Sequence, residues 1–190
     1  SKDHEEKSVP HLLQQTLDGS WTLCHQKHQE SFHSQSGARF EAEKLYIEGS
    51  KLKEALKAPH SAKKIKILDI GLGLGYNACA SLAAWQESGQ EAFCEMISLE
   101  EDLDLFKSLI SKECPWQKDW SAQWKVWTRS LKAKSEFSYE AFFTPPQGGS
   151  FTWKVLLGDA RKILDESVEK DFSFSWQDAF SPSHNPRLWS

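Results

Sequence analysis

The sequence predicts an α/β protein built on a mostly parallel sheet with helices on both faces. Three observations point to it. Short branched, apolar runs at 64–70, 93–99 and 155–157 alternate with helix-forming stretches. Each run stops at a glycine or an acid, at Gly71, Glu100 and Gly158. The first of these glycines opens a tight cluster placed directly between a strand and a helix. Strands alternating with helices imply βαβ units with right-handed crossovers, and ligands in such sheets bind beyond the carboxyl ends of the strands.

In chain order, 40–56 reads as a helix with Leu45, Leu52 and Leu56 along one side, an N-terminal cover over the core. Residues 1–60 are therefore taken as an N-terminal extension and cover helix, and 61–190 as the ligand-binding core of the same single domain. Residues 64–70 form a buried parallel strand that runs into the glycine turn. The helix at 77–88 follows, rich in Ala78, Ala80, Leu82, Ala83 and Ala84, with Gly89 as its stop. A second strand at 93–99 is followed by a helix in which Leu103, Phe106 and Ile110 recur at helical spacing. From 115 to 149 the pattern weakens into a helical or irregular insertion, closed by a turn of two prolines and two glycines at 145–149. Its Trp116, Trp120, Trp124 and Trp127 align along a helix, which favours a packed apolar stripe over a base-stacking platform. A third strand at 155–157, a helix with Ile163, Leu164 and Val168 on one face, and a strand at 172–176 complete the series.

With 190 residues the chain has the size of one domain. Its net charge of −4 argues against an indiscriminately basic nucleic-acid binder. Two lysine-rich stretches, 51–66 and 112–134, still leave room for phosphate contact, with a solvated face as the plainer reading. No apolar run approaches the roughly 18 residues of a membrane span. The polar start lacks the apolar core of a signal peptide, so the expected compartment is the cytoplasm. Cys24, Cys79, Cys94 and Cys114 form no Cys-x-x-Cys pair and read as buried thiols. His25, His28 and His33 lack a clear fourth ligand, so no metal is expected.

The chemistry concentrates in four places. Gly71, Gly73 and Gly75 let the backbone turn sharply and approach a ligand, with helix amides beyond. Tyr76 stands where the dinucleotide fingerprint continues, so that pattern is not met. Asp69, two places before the first glycine, suits S-adenosylmethionine, whose ammonium a carboxylate can hold directly or through water. Glu100 closes the second strand, where a carboxylate can accept both ribose hydroxyls of a nucleoside; Glu101 is the adjacent competitor. Asp159, before Ala160, could accept from an adenine amino group or cap the next helix, and the two roles are compatible. Last, 178–189 forms a stiff, polar lip past a strand end. There Asp178 is either a base for an amine acceptor or a solvated turn acid, and His184 is a rival base.

These blocks, together with 16–23 and 30–38 near the start, resemble the methyltransferase domain of the MnmC family, the bifunctional tRNA 5-methylaminomethyl-2-thiouridine biosynthesis proteins and their single-domain relatives. The resemblance runs in order through 68–77, 97–100, 158–160 and 178–189. It implies a Rossmann-like class I methyltransferase fold and methyl transfer from S-adenosylmethionine to the exocyclic amine of 5-aminomethyl-2-thiouridine at the tRNA wobble position, without a metal. It implies Asp178 as the active-site aspartate and Asp69, Gly71, Gly73, Gly75, Asn77, Glu100, Asp159 and Ala160 as cofactor-binding. Phe180, Pro182, His184 and Asn185 would contact the substrate. tRNA would be the partner, with a functional link to a separate FAD-dependent oxidase, none of which lies in these residues. Ala179, His184 and the pair Trp176 and Gln177 depart from the family's usual residues. The family domain also continues past its final Trp with a helix and two closing strands, which are expected to be missing here. Other acceptors, a small amine or another nucleoside, and a non-catalytic cofactor- or RNA-binding role are the alternatives.

Overall fold

The computed structural model describes residues 47, 51–57, 64–111, 122–146, 148–166 and 172–177, and three strands nearer the start. Those strands, β1 (His11–Gln15), β2 (Trp21–His25) and β3 (Glu30–Ser31), form a small antiparallel sheet. Its register sets Leu13 opposite Leu23 and Cys24 opposite Ser31. The sequence reading placed no strand here. Of the expected cover helix, the described part is α1 (Leu52–Lys57), with Leu52 and Leu56 buried and Ile47 buried before it. Leu45 lies outside the described residues.

The main sheet has six strands: β4 (Ile65–Ile70), β5 (Phe93–Glu100), β6 (Lys132–Ser135), β7 (Ser138–Phe143), β8 (Ser150–Leu157) and β9 (Phe174–Gln177). Their order is β6-β7-β8-β5-β4-β9. Strands β8, β5, β4 and β9 run parallel, while β6 and β7 add an antiparallel hairpin at the opposite edge from β9. The chain lays β5 and β8 to one side of β4 and then returns to place β9 on the other. Such a switch opens a crevice at the strand ends, and the expected α/β, Rossmann-like architecture is the one observed.

Both faces of the sheet are apolar, as parallel strands require. On one face Ile67, Cys94, Met96, Phe151, Trp153 and Val155 pack beneath α2 (Tyr76–Glu87), α3 (Leu103–Ile110) and α4 (Ala122–Arg129). Full burial of side chains of this size contributes about 1.5–3 kcal/mol each. On the other face Leu68, Ile70, Ile97 and Leu99 meet Ala160, Ile163 and Leu164 of α5 (Ala160–Glu166). Helix α2 is buried almost all round because alanines, Ser81 and Cys79 let it lie close to the strands. Trp85 ties its far end down, donating from Nε1 to the Ala92 carbonyl at 2.9 Å and stacking obliquely on Phe151.

Three expectations change. Helix α3 buries Leu105, Phe106 and Leu109, whereas Leu103 is exposed and Ile110 only partly covered. Asp102 caps that helix by accepting from the Leu105 amide at 2.9 Å, which sets Leu103 on its solvent-facing first turn. The third strand is longer than the apolar run that announced it. It starts at Ser150, and its Phe151, Trp153, Val155 and Leu157 alternate with Thr152 and Lys154, a period of two that breaks the run without breaking the strand. The insertion is a helix followed by a hairpin. Strand β6, Lys-Ala-Lys-Ser, has no large apolar residue and is wholly exposed, so it carries no periodic signal. Pairing holds it instead, with Lys132 opposite Glu140 and Ser135 opposite Ser138, and the tip is pinned where Leu157 N–H donates to the Phe137 carbonyl at 2.8 Å. Trp127 is buried in the core, in keeping with a packed stripe; Trp116 and Trp120 lie outside the described residues. No helix among the described residues is long and apolar enough to cross a membrane.

Candidate cofactor site

The site lies where β4, β5 and β8 end. After Ile70 the chain turns through Gly71 (φ 83°), Gly73 (φ 56°) and Gly75 (φ 86°), a left-handed backbone in which an L side chain costs about 1–2 kcal/mol. The turn is anchored to the neighbouring strand: the Gly71 and Leu72 amides both donate to the Leu99 carbonyl, at 2.9 and 3.0 Å. Gly75 then begins α2 with no side-chain cap, and a helix N-terminus is a setting that favours anionic or polar ligand groups. A Cβ built on Gly73 would meet only the Gly71 carbonyl, at 3.9 Å. A side chain here would therefore extend into open space beside the turn.

Glu100 reaches this turn from the end of β5. Glu100 is buried, with 8% of its surface exposed. Oε1 accepts from the Gly73 amide at 2.8 Å and Oε2 from the Asp102 amide at 2.9 Å. The Gly158 amide donates to the Glu100 carbonyl at 2.8 Å, bringing the turn after β8 to the same place. Burial pushes the Glu100 carboxyl up to about 7, against the pull of the amides that favour its ionised form. Glu101 is exposed, so of the two adjacent acids Glu100 is the one joined to the glycine turn.

Asp69, fully buried, sits on β4 directly opposite Ser98. The Ser98 hydroxyl donates to Asp69 Oδ2 at 2.7 Å and itself accepts from Trp153 Nε1 at 3.0 Å. This relay spans β8, β5 and β4, and sequence reading missed two of its three members. The available signal was a lone Ser inside the apolar strand 93–99, since a buried hydroxyl needs a partner. Cys79, buried next to this carboxylate, has its thiol pushed far up by burial first and by the Asp69 charge second, which makes it inert. Asn77 is buried in the first turn of α2, its carbonyl accepting from the Ser81 hydroxyl at 2.9 Å. Asp159 caps α5, its Oδ1 accepting from the Arg161 amide at 2.9 Å, and Ala160 is buried behind it.

The structure thus gathers Asp69, Gly71, Gly73, Gly75, Asn77, Glu100, Asp159 and Ala160 at one end of the sheet. Asp178, Phe180, Pro182, His184 and Asn185 lie outside the described residues, as do His28 and His33. Among the described residues no group of three or more His, Cys, Asp or Glu is placed to hold a metal ion. The donor set fits S-adenosylmethionine: a carboxylate with two acceptor oxygens for a vicinal diol, a second buried carboxylate for a cation, and a side-chain-free turn between them.

Comparison with known proteins agrees. Residues 117–190 match the family described as S-adenosyl-L-methionine-dependent methyltransferase. The fold superposes on the crystal structure of MnmC2 from Aquifex aeolicus with a TM-score of 0.72 and 30% identity, covering 97% of this chain and 54% of that one. An uncharacterised protein of Methanocaldococcus jannaschii is 29% identical over 189 residues, 98% of this chain and 46% of its own length. The tRNA 5-methylaminomethyl-2-thiouridine biosynthesis bifunctional protein MnmC of Azoarcus sp. is 27% identical over 166 residues, 84% of this chain and 24% of that protein. The chain spans about half the length of the first of these curated relatives and about a quarter of the second.

Proposed function

We propose that this chain, an MnmC-like methyltransferase domain, methylates the exocyclic amine of 5-aminomethyl-(2-thio)uridine at the wobble position of tRNA. The observation that carries the reading is the Glu100 carboxylate locked onto the Gly73 amide at 2.8 Å, beside a turn whose three glycines are all left-handed. When bound, S-adenosylmethionine supplies a sulfonium methyl that an amine lone pair displaces in line, the N–C bond forming as the C–S bond breaks and S-adenosylhomocysteine leaves.

The chain's own residues bind and orient. Glu100 accepts the ribose hydroxyls, Asp69 faces the ammonium of the methionyl group, and Gly71, Gly73 and Gly75 admit the ligand to backbone contact, with Asn77 behind them. Asp159 and Ala160 border the adenine. Asp178 takes the proton the amine gives up, a role that contributes about 10²–10⁴-fold when such a base is well placed. Phe180, Pro182, His184 and Asn185 frame the acceptor. The reaction takes place in the cytoplasm, needs no metal, and is functionally linked to a separate FAD-dependent oxidase. A net charge of −4 favours a second reading, in which the acceptor is a small amine or another nucleoside.

The test is methyl transfer from labelled S-adenosylmethionine to tRNA lacking this modification, by the chain and by its Asp178→Ala variant. Label appears in methylaminomethyl-uridine, and the variant loses at least about 100-fold in rate while still binding cofactor. Label in small amines but not in tRNA selects the second reading. A chain that binds no cofactor defeats both.

A further inference from the structure

We infer that Ser98 and Trp153 are positioning residues for cofactor binding, acting through Asp69; the inference rests on the proposed role of Asp69 toward the cofactor's ammonium. All three side chains are fully buried. They come from three adjacent parallel strands, with Asp69 opposite Ser98 and Met96 opposite Trp153 in register, so all three share one face of the sheet. A hydroxyl has one proton. Trp153 Nε1 can only donate, and at 3.0 Å it occupies an acceptor site on Ser98 Oγ. The Ser98 proton is thereby turned to Asp69 Oδ2, 2.7 Å away. The relay runs one way, from indole to hydroxyl to carboxylate, and fixes the rotation of the carboxylate about its Cβ–Cγ bond. Removing that donor takes a fixed partner from a buried charge, which is costly and loosens the orientation of the carboxylate. Orientation matters because the ligand group is a cation whose attraction to a carboxylate depends on distance and alignment in a low-dielectric site.

The relay therefore sets affinity for the amino-acid half of the cofactor and leaves the nucleoside half to Glu100 and the glycine turn. That division separates a positioning role from a merely structural one. The full chain and its Ser98→Ala and Trp153→Phe variants are titrated calorimetrically with S-adenosylmethionine, S-adenosylhomocysteine and 5′-methylthioadenosine, which lacks the amino-acid portion. Ser98→Ala weakens the first two ligands by about tenfold or more, the usual worth of a hydrogen bond to a charged group, and changes methylthioadenosine by less than about twofold. Trp153→Phe, which removes the indole N–H and keeps an aromatic ring, gives the same selectivity with a smaller loss. Equal weakening of all three ligands, or of none, overturns the inference while the cofactor reading stands. Should Ser98→Ala fail to fold, Trp153→Phe decides on the same criterion. A wild-type chain that binds methylthioadenosine as tightly as S-adenosylmethionine also overturns the inference, and one that binds none of the three ligands sinks the underlying reading as well.

Discussion

The ends of β4 and β5 each carry a buried carboxylate, and the chain holds the two by opposite means. Asp69 is gripped by side chains, through Ser98 and, behind it, Trp153 on a third strand. Glu100 is gripped by backbone, through the amides of Gly73 and Asp102 on the two turns that flank it. The first arrangement depends on residue identity at positions far apart in sequence. The second depends on loop shape, and most single side chains can change without disturbing it. A ligand that meets both should accordingly be sensitive to different substitutions at its two ends.

The largest effect comes from breaking the loop. Gly73→Val puts a branched side chain at φ 56° and into the open space beside the turn, costing the fold about 1–2 kcal/mol and abolishing measurable S-adenosylmethionine binding. Thermal melts and titration calorimetry separate the two losses. Strong binding by a folded variant would place the cofactor elsewhere.

Next comes Glu100. A glutamine can accept from only one of the two amides, and its NH₂ group then faces the other donor, so Glu100→Gln weakens cofactor binding by about 10–100-fold. The pH dependence sharpens the point. The native carboxyl keeps its proton up to about 7, whereas an unfolded glutamate releases it near 4.5. This group therefore stabilises the native state relative to the unfolded one most fully below pH 4.5, and that contribution, about 3 kcal/mol, is lost as pH rises through 7. On the proposed role of Glu100, cofactor affinity moves the other way, because ribose hydroxyls would donate to the ionised form. It rises about tenfold between pH 6 and 8 and then levels off, and Glu100→Gln flattens the profile. A wild-type profile that falls over this range would remove Glu100 from the ribose. The smallest effect is at the third turn: Asp159→Ala loses the α5 cap, lowers stability by about 1 kcal/mol and weakens binding only a few-fold.

What sequence could reveal follows the same division. The strand 64–70, its glycine turn and Glu100 are local features, each marked by a short apolar run and the residue that stops it, and all three stand where expected. Asp159 was legible as a cap for the same reason. The partners of Asp69 were not, because Trp153 lies 55 residues from Ser98 and meets it only through strand pairing. Strand β6 escaped notice because pairing, not burial, makes it a strand. The small sheet β1–β3 gives no clear signal either, because β1, His-Leu-Leu-Gln-Gln, does not alternate apolar with polar residues and β3 has only two residues.

The most direct test of the central claim, that the ends of β4, β5 and β8 hold S-adenosylmethionine, is amide hydrogen exchange of the chain with and without that ligand. The account predicts slowed exchange at 71–77, 98–102 and 157–160, with the hairpin strands β6 and β7 and the small sheet β1–β3 unchanged. Protection confined to another region, or none at saturating ligand, would contradict it.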